Sequence, residues 1–218
     1  MATFESFFNS TVEPLLASGR HGEAIAGIEE FFPQLATDFD RSEAFHWLAS
    51  LHSLMGSRAL AERDIPGARD HFGDVQEFAL KALDMFPERP DTLVFLARFY
   101  LAPLGQPERA FPLLQPFAEG HRVQPEPLLF YDHVRLVLRG VVLAVIGSGD
   151  EAFEDWRRAY SNEFLSLAPD KIDTTSLLFI GAHGVDLPAG DWSNLMAQLG
   201  ELGIASDRLE RLRGMMQG

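Results

Sequence analysis

Apolar residues recur every three or four positions along most of the chain, and strict alternation of apolar and polar residues is rare. The spacing is clearest over residues 43–55 and 92–101. It is typical of helices that bury one face. The best candidate for a strand, residues 140–146, continues a helical pattern that begins at residue 128. The pattern therefore predicts an all-α fold.

Glycines and prolines mark the predicted helix ends. A glycine commonly closes a helix because it adopts the left-handed conformation without steric cost. We expect such ends at Gly19, Gly56, Gly105, Gly120, Gly147 and Gly149. On this interpretation residues 57–67 lengthen the turn between two helices.

The order of large and small residues over 79–114 points to helix pairs that cross closely, because a small residue lets a neighbouring backbone approach. The residues that carry this pattern are Ala79, Ala82, Pro87, Leu93, Leu96, Ala97, Tyr100, Gly105, Ala110 and Leu114. They resemble the tetratricopeptide repeat (TPR), a helix-turn-helix unit of about 34 residues. The resemblance is specific over residues 79–117 and moderate over 42–166.

The resemblance implies a right-handed superhelix of antiparallel helix pairs over residues 1–170. Two amphipathic segments in residues 171–218 would then form capping helices in the same compact domain. Repeat arrays need such atypical ends, because a terminal repeat has no neighbour to cover it.

Charge and composition narrow the classes of partner. Acidic residues outnumber basic ones 32 to 18, the formal net charge is −14, and cysteine is absent. Net repulsion argues against a nucleic acid or an anionic membrane, and disulfides and thiolate metal sites are excluded. The longest apolar stretch, residues 134–146, contains two arginines and is too short to span a bilayer. With no basic residue near the start to suggest a secretory signal, we expect a cytoplasmic protein.

Histidines are the remaining candidates for chemistry. Glu43 and His46 have the three-residue spacing used in helical carboxylate metal sites, but no second Glu-x-x-His follows. His52 lies on a different helix face from His46. His71 and His133 each follow an aspartate, and adjacent helical residues do not face each other. We therefore expect no catalytic residue, no metal site and no cofactor.

In TPR proteins, partner peptides usually bind the concave face formed by the first helix of each pair. Carried onto this chain, the resemblance implies a face formed by Glu43, His46 and Ser50, then Asp91, Val94 and Arg98, then Val134, Val137 and Val141. The first two groups are suited to a peptide backbone or a terminal carboxylate, with Arg98 as the anion partner. The third is aliphatic, so either a hydrophobic partner or the chain's own C-terminal helices must cover it.

The resemblance implies a protein- or peptide-binding adaptor, scaffold or chaperone-like subunit without catalysis. The acidic surface favours a partner with a basic segment. One alternative is a helical enzyme or small-ligand-binding protein with a pocket between the third helix pair and the C-terminal helices. Another is self-association, in which Arg208, Arg211 and Arg213 meet the acidic N-terminal region of a second copy.

Overall fold

A computed structural model describes residues 3–101, 104–115 and 125–160. Helices contain 85% of these residues and strands contain none, which confirms the all-α prediction for this part of the chain. Backbone contacts divide the chain into a first unit, Met1–Phe95, and a second unit, Leu96–Gly218. The predicted capping segment, residues 171–218, lies outside the described residues.

Nine α-helices lie within the described residues. In chain order they are α1 (Phe4–Phe7), α2 (Glu13–Ala17), α3 (His21–Phe31), α4 (Asp38–Ala61), α5 (Ile65–Met85), α6 (Pro90–Leu101), α7 (Pro107–Ala110), α8 (Pro125–Val145) and α9 (Gly149–Tyr160). A π-helical turn, Phe8–Val12, joins α1 to α2, and 3-10 turns follow α3 and α7 at Phe32–Gln34 and Phe111–Leu114. No helix in the described ranges has the length and apolar character needed to cross a membrane.

The two longest helices of the first unit, α4 and α5, form a hairpin. The Thr37 hydroxyl caps the start of α4 by accepting a hydrogen bond from the Asp40 N–H at 3.0 Å, and the Asp64 carboxylate accepts one from the Gly67 N–H at 3.1 Å at the start of α5. Such caps satisfy N–H groups that have no partner within the helix. Arg63, at φ 63°, makes the reversal. The connection is therefore short, and its residues are Glu62, Arg63 and Asp64.

The predicted helix end at Gly56 is wrong. α4 continues to Ala61, so residues 57–67 form mostly helix rather than a long turn. A Cβ atom at Gly56 would lie 2.4 Å from Cε1 of Phe72 on α5. Gly56 is therefore present because the two helices approach closely there. Three other predicted ends are confirmed by positive φ angles, at Gly19, Gly105 and Gly147. The end predicted at Gly149 is wrong, because that residue begins α9, and Gly120 lies outside the described residues.

Aromatic rings dominate the packing of the first unit. Phe7 and Phe31 stack with ring centroids 4.0 Å apart, and Phe8 meets Trp47 at 4.3 Å. The Phe4 backbone N–H donates to Asp40 Oδ1 at 2.9 Å, which holds the N-terminal segment on α4. The fully or almost fully buried centre consists of Phe4, Val12, Ala24, Ile28, Leu35, Ala44, Leu48 and Leu51.

The second unit combines an aliphatic interior with buried polar groups. His133 on α8 donates from Nδ1 to the Ala159 carbonyl on α9 at 2.9 Å. Arg139 on α8 pairs with Asp155 on α9 at 2.9 Å. These bonds fix α9 on α8 in addition to the apolar contacts. The buried apolar residues of α8 are Leu136, Val137, Leu138, Val141, Val142 and Leu143.

The part of the chain with the clearest repeat pattern contains the end of α5, all of α6 and the short helix α7. α6 agrees with the helix predicted from the spacing over residues 92–101. In place of a full second helix, the chain has four residues of α-helix followed by a 3-10 turn. The right-handed superhelical arrangement stays a prediction.

Candidate binding site

Three of the predicted site residues lie near one another in the first unit. They are Glu43 and His46 on α4 and Asp91 on α6. His46 Nδ1 lies 3.0 Å from the Thr92 hydroxyl, and its Nε2 lies 4.0 Å from Asp91 Oδ2. Asp91 and Thr92 belong to the first turn of α6, which begins at Pro90. Glu43 precedes His46 by three residues and therefore shares its face of α4.

A buried arginine that the sequence did not predict completes this group. Arg89 donates from Nε to Asp91 Oδ1 at 2.8 Å and from Nη2 to Oδ2 at 2.9 Å. The Thr92 backbone N–H adds a further bond to Asp91 Oδ1 at 2.7 Å. The two-pronged pairing fixes the orientation of the carboxylate. We call Glu43, His46, Arg89, Asp91 and Thr92 the Glu43–Asp91 surface.

The ionisation of Asp91 and His46 follows from their surroundings. Burial disfavours the charge on Asp91, but the charge that His46 carries when it is protonated, the charge of Arg89 and the hydrogen bonds from Arg89 and Thr92 outweigh it, so the pKa of Asp91 is lowered. Burial lowers the pKa of His46, with Asp91 opposing and Arg89 reinforcing that shift. At neutral pH this part of the surface therefore contains an ionised Asp91 and a neutral His46.

The surroundings of Glu43 shift its pKa in the opposite direction to that of Asp91. Burial raises the pKa of Glu43, and Asp91, Asp40 and Glu5 raise it further, while Arg89 opposes them. The Glu43 side chain is nevertheless partly exposed. Within the described ranges its carboxylate has neither a hydrogen bond nor an ion pair of its own. A cation placed beside Glu43 would relieve this repulsion.

The other predicted site residues have different environments. Ser50 on α4 is partly exposed, and Arg98 is exposed on the portion of α6 that belongs to the second unit. Val94 is buried. On α8, Val134 is partly buried, whereas Val137 and Val141 are each 1% exposed. Val94, Val137 and Val141 are therefore buried in this structure, and their place on a partner-binding face stays a prediction.

A separate set of residues on α4 and α5 has the composition of a metal site. His52, His71 and Asp74 each offer one ligand atom, and the three atoms lie within 4.8 Å of one another. This set was not predicted from the sequence, because His52 and His71 lie on different helices and their proximity is not visible among neighbours in sequence. Pairing residues across the α4–α5 hairpin could have revealed the set, because Arg63 at the turn lies midway between His52 and Asp74 in the sequence. Antiparallel helices with a short connection bring such positions together.

Comparison with protein-family models, curated proteins and solved structures found no significant match to this chain. The resemblance to the TPR family therefore stays a prediction that depends on the residues given above. The alternative pocket beside the C-terminal helices, and the arginines at 208, 211 and 213, lie outside the described residues.

Proposed function

We propose that this protein is a non-catalytic adaptor, scaffold or chaperone-like subunit that binds a protein or peptide with a basic segment through the Glu43–Asp91 surface. The observation that carries this proposal is the state of Glu43. It is a partly exposed carboxylate that lies near Arg89 and three other carboxylates, with its own pairing capacity unused by the described residues.

The neighbouring groups explain why Glu43 is the one left to pair with a partner. Arg89 occupies both oxygens of Asp91, so that carboxylate is already neutralised and oriented. Arg89 is itself buried and cannot also reach outward. A lysine or arginine of a partner would form a charge-assisted hydrogen bond with Glu43. Charge complementarity of this kind gives specificity and faster association.

An exposed aromatic ring next to this surface supplies an apolar contact. Phe39 is 56% exposed, although it packs edge-on against Phe86 and lies 5.5 Å from the Arg89 guanidinium. Aromatic residues at an exposed site contribute strongly to protein–protein binding. A basic residue followed by an apolar one would therefore suit Glu43 and Phe39 together.

The same geometry argues against nucleophilic catalysis at this surface. Thr92, His46 and Asp91 have the residue types of a catalytic triad. However, the Thr92 side chain is fully buried, so a substrate could not reach its hydroxyl. Asp91 is held by Arg89 and lies 4.0 Å from the histidine nitrogen, beyond hydrogen-bonding distance. A structural role for these three residues, supporting Glu43, fits better.

A capture experiment with matched variants tests the proposal. Wild type, Glu43→Gln and the control Glu30→Gln would be immobilised and exposed to lysate of the source organism. Glu30 is an exposed glutamate on α3, so its variant has the same change of charge away from the surface. We expect a protein retained by wild type and by Glu30→Gln and lost by Glu43→Gln. The basic segment of that protein, made as a peptide, should bind Glu43→Gln about tenfold more weakly or worse in calorimetry.

Two outcomes would contradict the proposal. Equal retention by all three proteins would show that binding does not use this surface. Equal loss from both glutamine variants would show a general effect of net charge. A mass that increases with concentration in light scattering, with no partner retained, would favour self-association instead.

A further inference from the structure

Three side chains on the α4–α5 hairpin direct their ligand atoms at one another. His52 Nδ1 lies 3.1 Å from His71 Nδ1 and 3.0 Å from Asp74 Oδ2. His52 is on α4, whereas His71 and Asp74 lie one helical turn apart on α5. This group is distinct from the Glu43–Asp91 surface, because His46 and His52 lie on different faces of α4.

Hydrogen bonds among these three side chains cannot satisfy all of their close contacts at once. An imidazole Nδ1 carries at most one proton. If His52 Nδ1 is protonated, it can donate fully to His71 or to Asp74 but not to both. If it is not protonated, its lone pair lies 3.0 Å from the carboxylate oxygen. A cation among the three atoms would satisfy all of them at once.

The three side chains differ in their access to solvent. His52 is 8% exposed. Asp74 lies at the solvent side of the group, with 44% of its side chain exposed, so an ion has a route of entry.

We propose that His52, His71 and Asp74 bind a divalent transition-metal ion, of which Zn²⁺ is the representative example. Two imidazoles and one carboxylate are ligands of Zn²⁺, whereas Ca²⁺ and Mg²⁺ prefer oxygen alone. Two of the three spacings also fit. Two ligands about 2.1 Å from one ion lie roughly 3.0–3.4 Å apart in octahedral or tetrahedral geometry, close to the 3.1 and 3.0 Å that separate His52 Nδ1 from His71 Nδ1 and Asp74 Oδ2. The third pair, His71 and Asp74, lies within 4.8 Å.

The ligand set predicts two properties of the site. Three protein ligands leave at least one coordination position for water or for a group from another molecule. In addition, binding through Nδ1 leaves the proton of His52 on Nε2, which has no hydrogen-bond partner among the described residues. A metal-bound histidine usually donates that proton to an oxygen in a hydrogen bond, and metal binding is weaker when this hydrogen bond is absent. We therefore expect reversible binding that stabilises the hairpin.

Metal titration of the full chain tests the proposal. After treatment with a chelator and its removal, ZnCl₂ would be titrated in calorimetry, and Co²⁺ would report the ligand field by its visible absorption. We expect one site, and a Tm that increases with Zn²⁺. Asp74→Asn and His71→Ala should bind at least about tenfold more weakly. His21→Ala, which removes a histidine on α3, should bind like wild type, and MgCl₂ should leave the Tm unchanged.

Circular dichroism would first establish that each variant is folded. If His71→Ala is not folded, the comparison of wild type with Asp74→Asn decides the test, because asparagine preserves the shape of the side chain. No binding by wild type would overturn the proposal. Equal affinity in wild type and Asp74→Asn would also overturn it, since the ion would then bind elsewhere. Glu43→Gln should retain Zn²⁺ binding, so this site and the proposed partner surface succeed or fail separately.

Discussion

The N-terminal helices of the first unit pack on one another and on α4 through aromatic rings, whereas α9 of the second unit is joined to α8 by buried polar groups. In the first unit Phe7 stacks on Phe31 and Phe8 meets Trp47. In the second unit the buried Asp155 on α9 pairs with Arg139 on α8. These two regions therefore use different kinds of interaction to hold helices together.

This difference determines how each unit responds to change. Apolar contacts do not depend on one geometry, so a core of rings and methyl groups tolerates small rearrangements. A buried ion pair gives little net stability, but the loss of one partner leaves a charge with no compensation. We expect the α8–α9 pair to be the more sensitive to the loss of a polar partner, and the packing against α4 to be the more sensitive to substitutions that change volume.

Removal of the Arg139 charge should have the largest effect. Arg139→Met keeps the apolar stem but removes the ion-pair partner of the buried Asp155, whose pKa is already raised by burial against the opposing charges of Arg139, Arg135 and Arg158. We expect a loss of about 3–5 kcal/mol in the free energy of unfolding. Urea unfolding followed by circular dichroism, with hydrogen exchange at α8 amides, would measure it. The double variant Arg139→Met, Asp155→Leu should recover most of the loss, and a single variant as stable as wild type would contradict the interpretation.

A change of volume in the first unit should have an intermediate effect. In Gly56→Ala the new Cβ would lie 2.4 Å from the Phe72 ring, so either that ring must turn or α4 and α5 must move apart. We expect a loss of about 1–3 kcal/mol in the free energy of unfolding. The control is Gly73→Ala on α5, where a Cβ meets nothing within 4 Å. Because alanine favours helix, this variant should gain about 0.5–1 kcal/mol. Equal effects at both glycines would show that the helices are not closely packed at Gly56.

The smallest effect concerns the response of the second unit to acid. His133 is fully buried, and burial lowers the pKa of His133 despite its bond to the Ala159 carbonyl and the charge of Asp132. The unfolded chain takes up a proton near pH 6.5, and the folded chain only at lower pH, so stability should fall as the pH is lowered from neutrality through that range. His133→Asn should show a shallower decrease in Tm between pH 7.5 and 5.5. An unchanged pH dependence would show that His133 makes no contribution.

Much of the helical structure could be predicted, because apolar spacing and helix ends are local. The spacing over residues 92–101 predicted α6, and Gly147 ends α8 with the expected positive φ. Gly56 could not be interpreted in this way, since its environment is created by Phe72 on another helix. The reversal at Arg63 was equally hidden, because a non-glycine residue adopts the left-handed conformation there.

The candidate sites could be predicted only in part. The three-residue spacing of Glu43 and His46 placed them on one face of α4 from sequence alone. Arg89 was missed because it lies in a turn before Pro90, where helical spacing rules do not apply, and its pairing with Asp91 depends on burial. His52 and His71 were missed because their proximity depends on the register of the hairpin.

The short connection at Arg63 also has a consequence for the kinetics of folding. Contacts that close a small loop form at a lower cost in entropy than those that close a large one. Along the hairpin the loop to be closed grows from Gly56 with Phe72, through His52 with His71, to the Ser42 hydroxyl with the Ala82 carbonyl. We expect α4 and α5 to join from the turn outward, so that the residues nearest Arg63 begin the folding of the first unit.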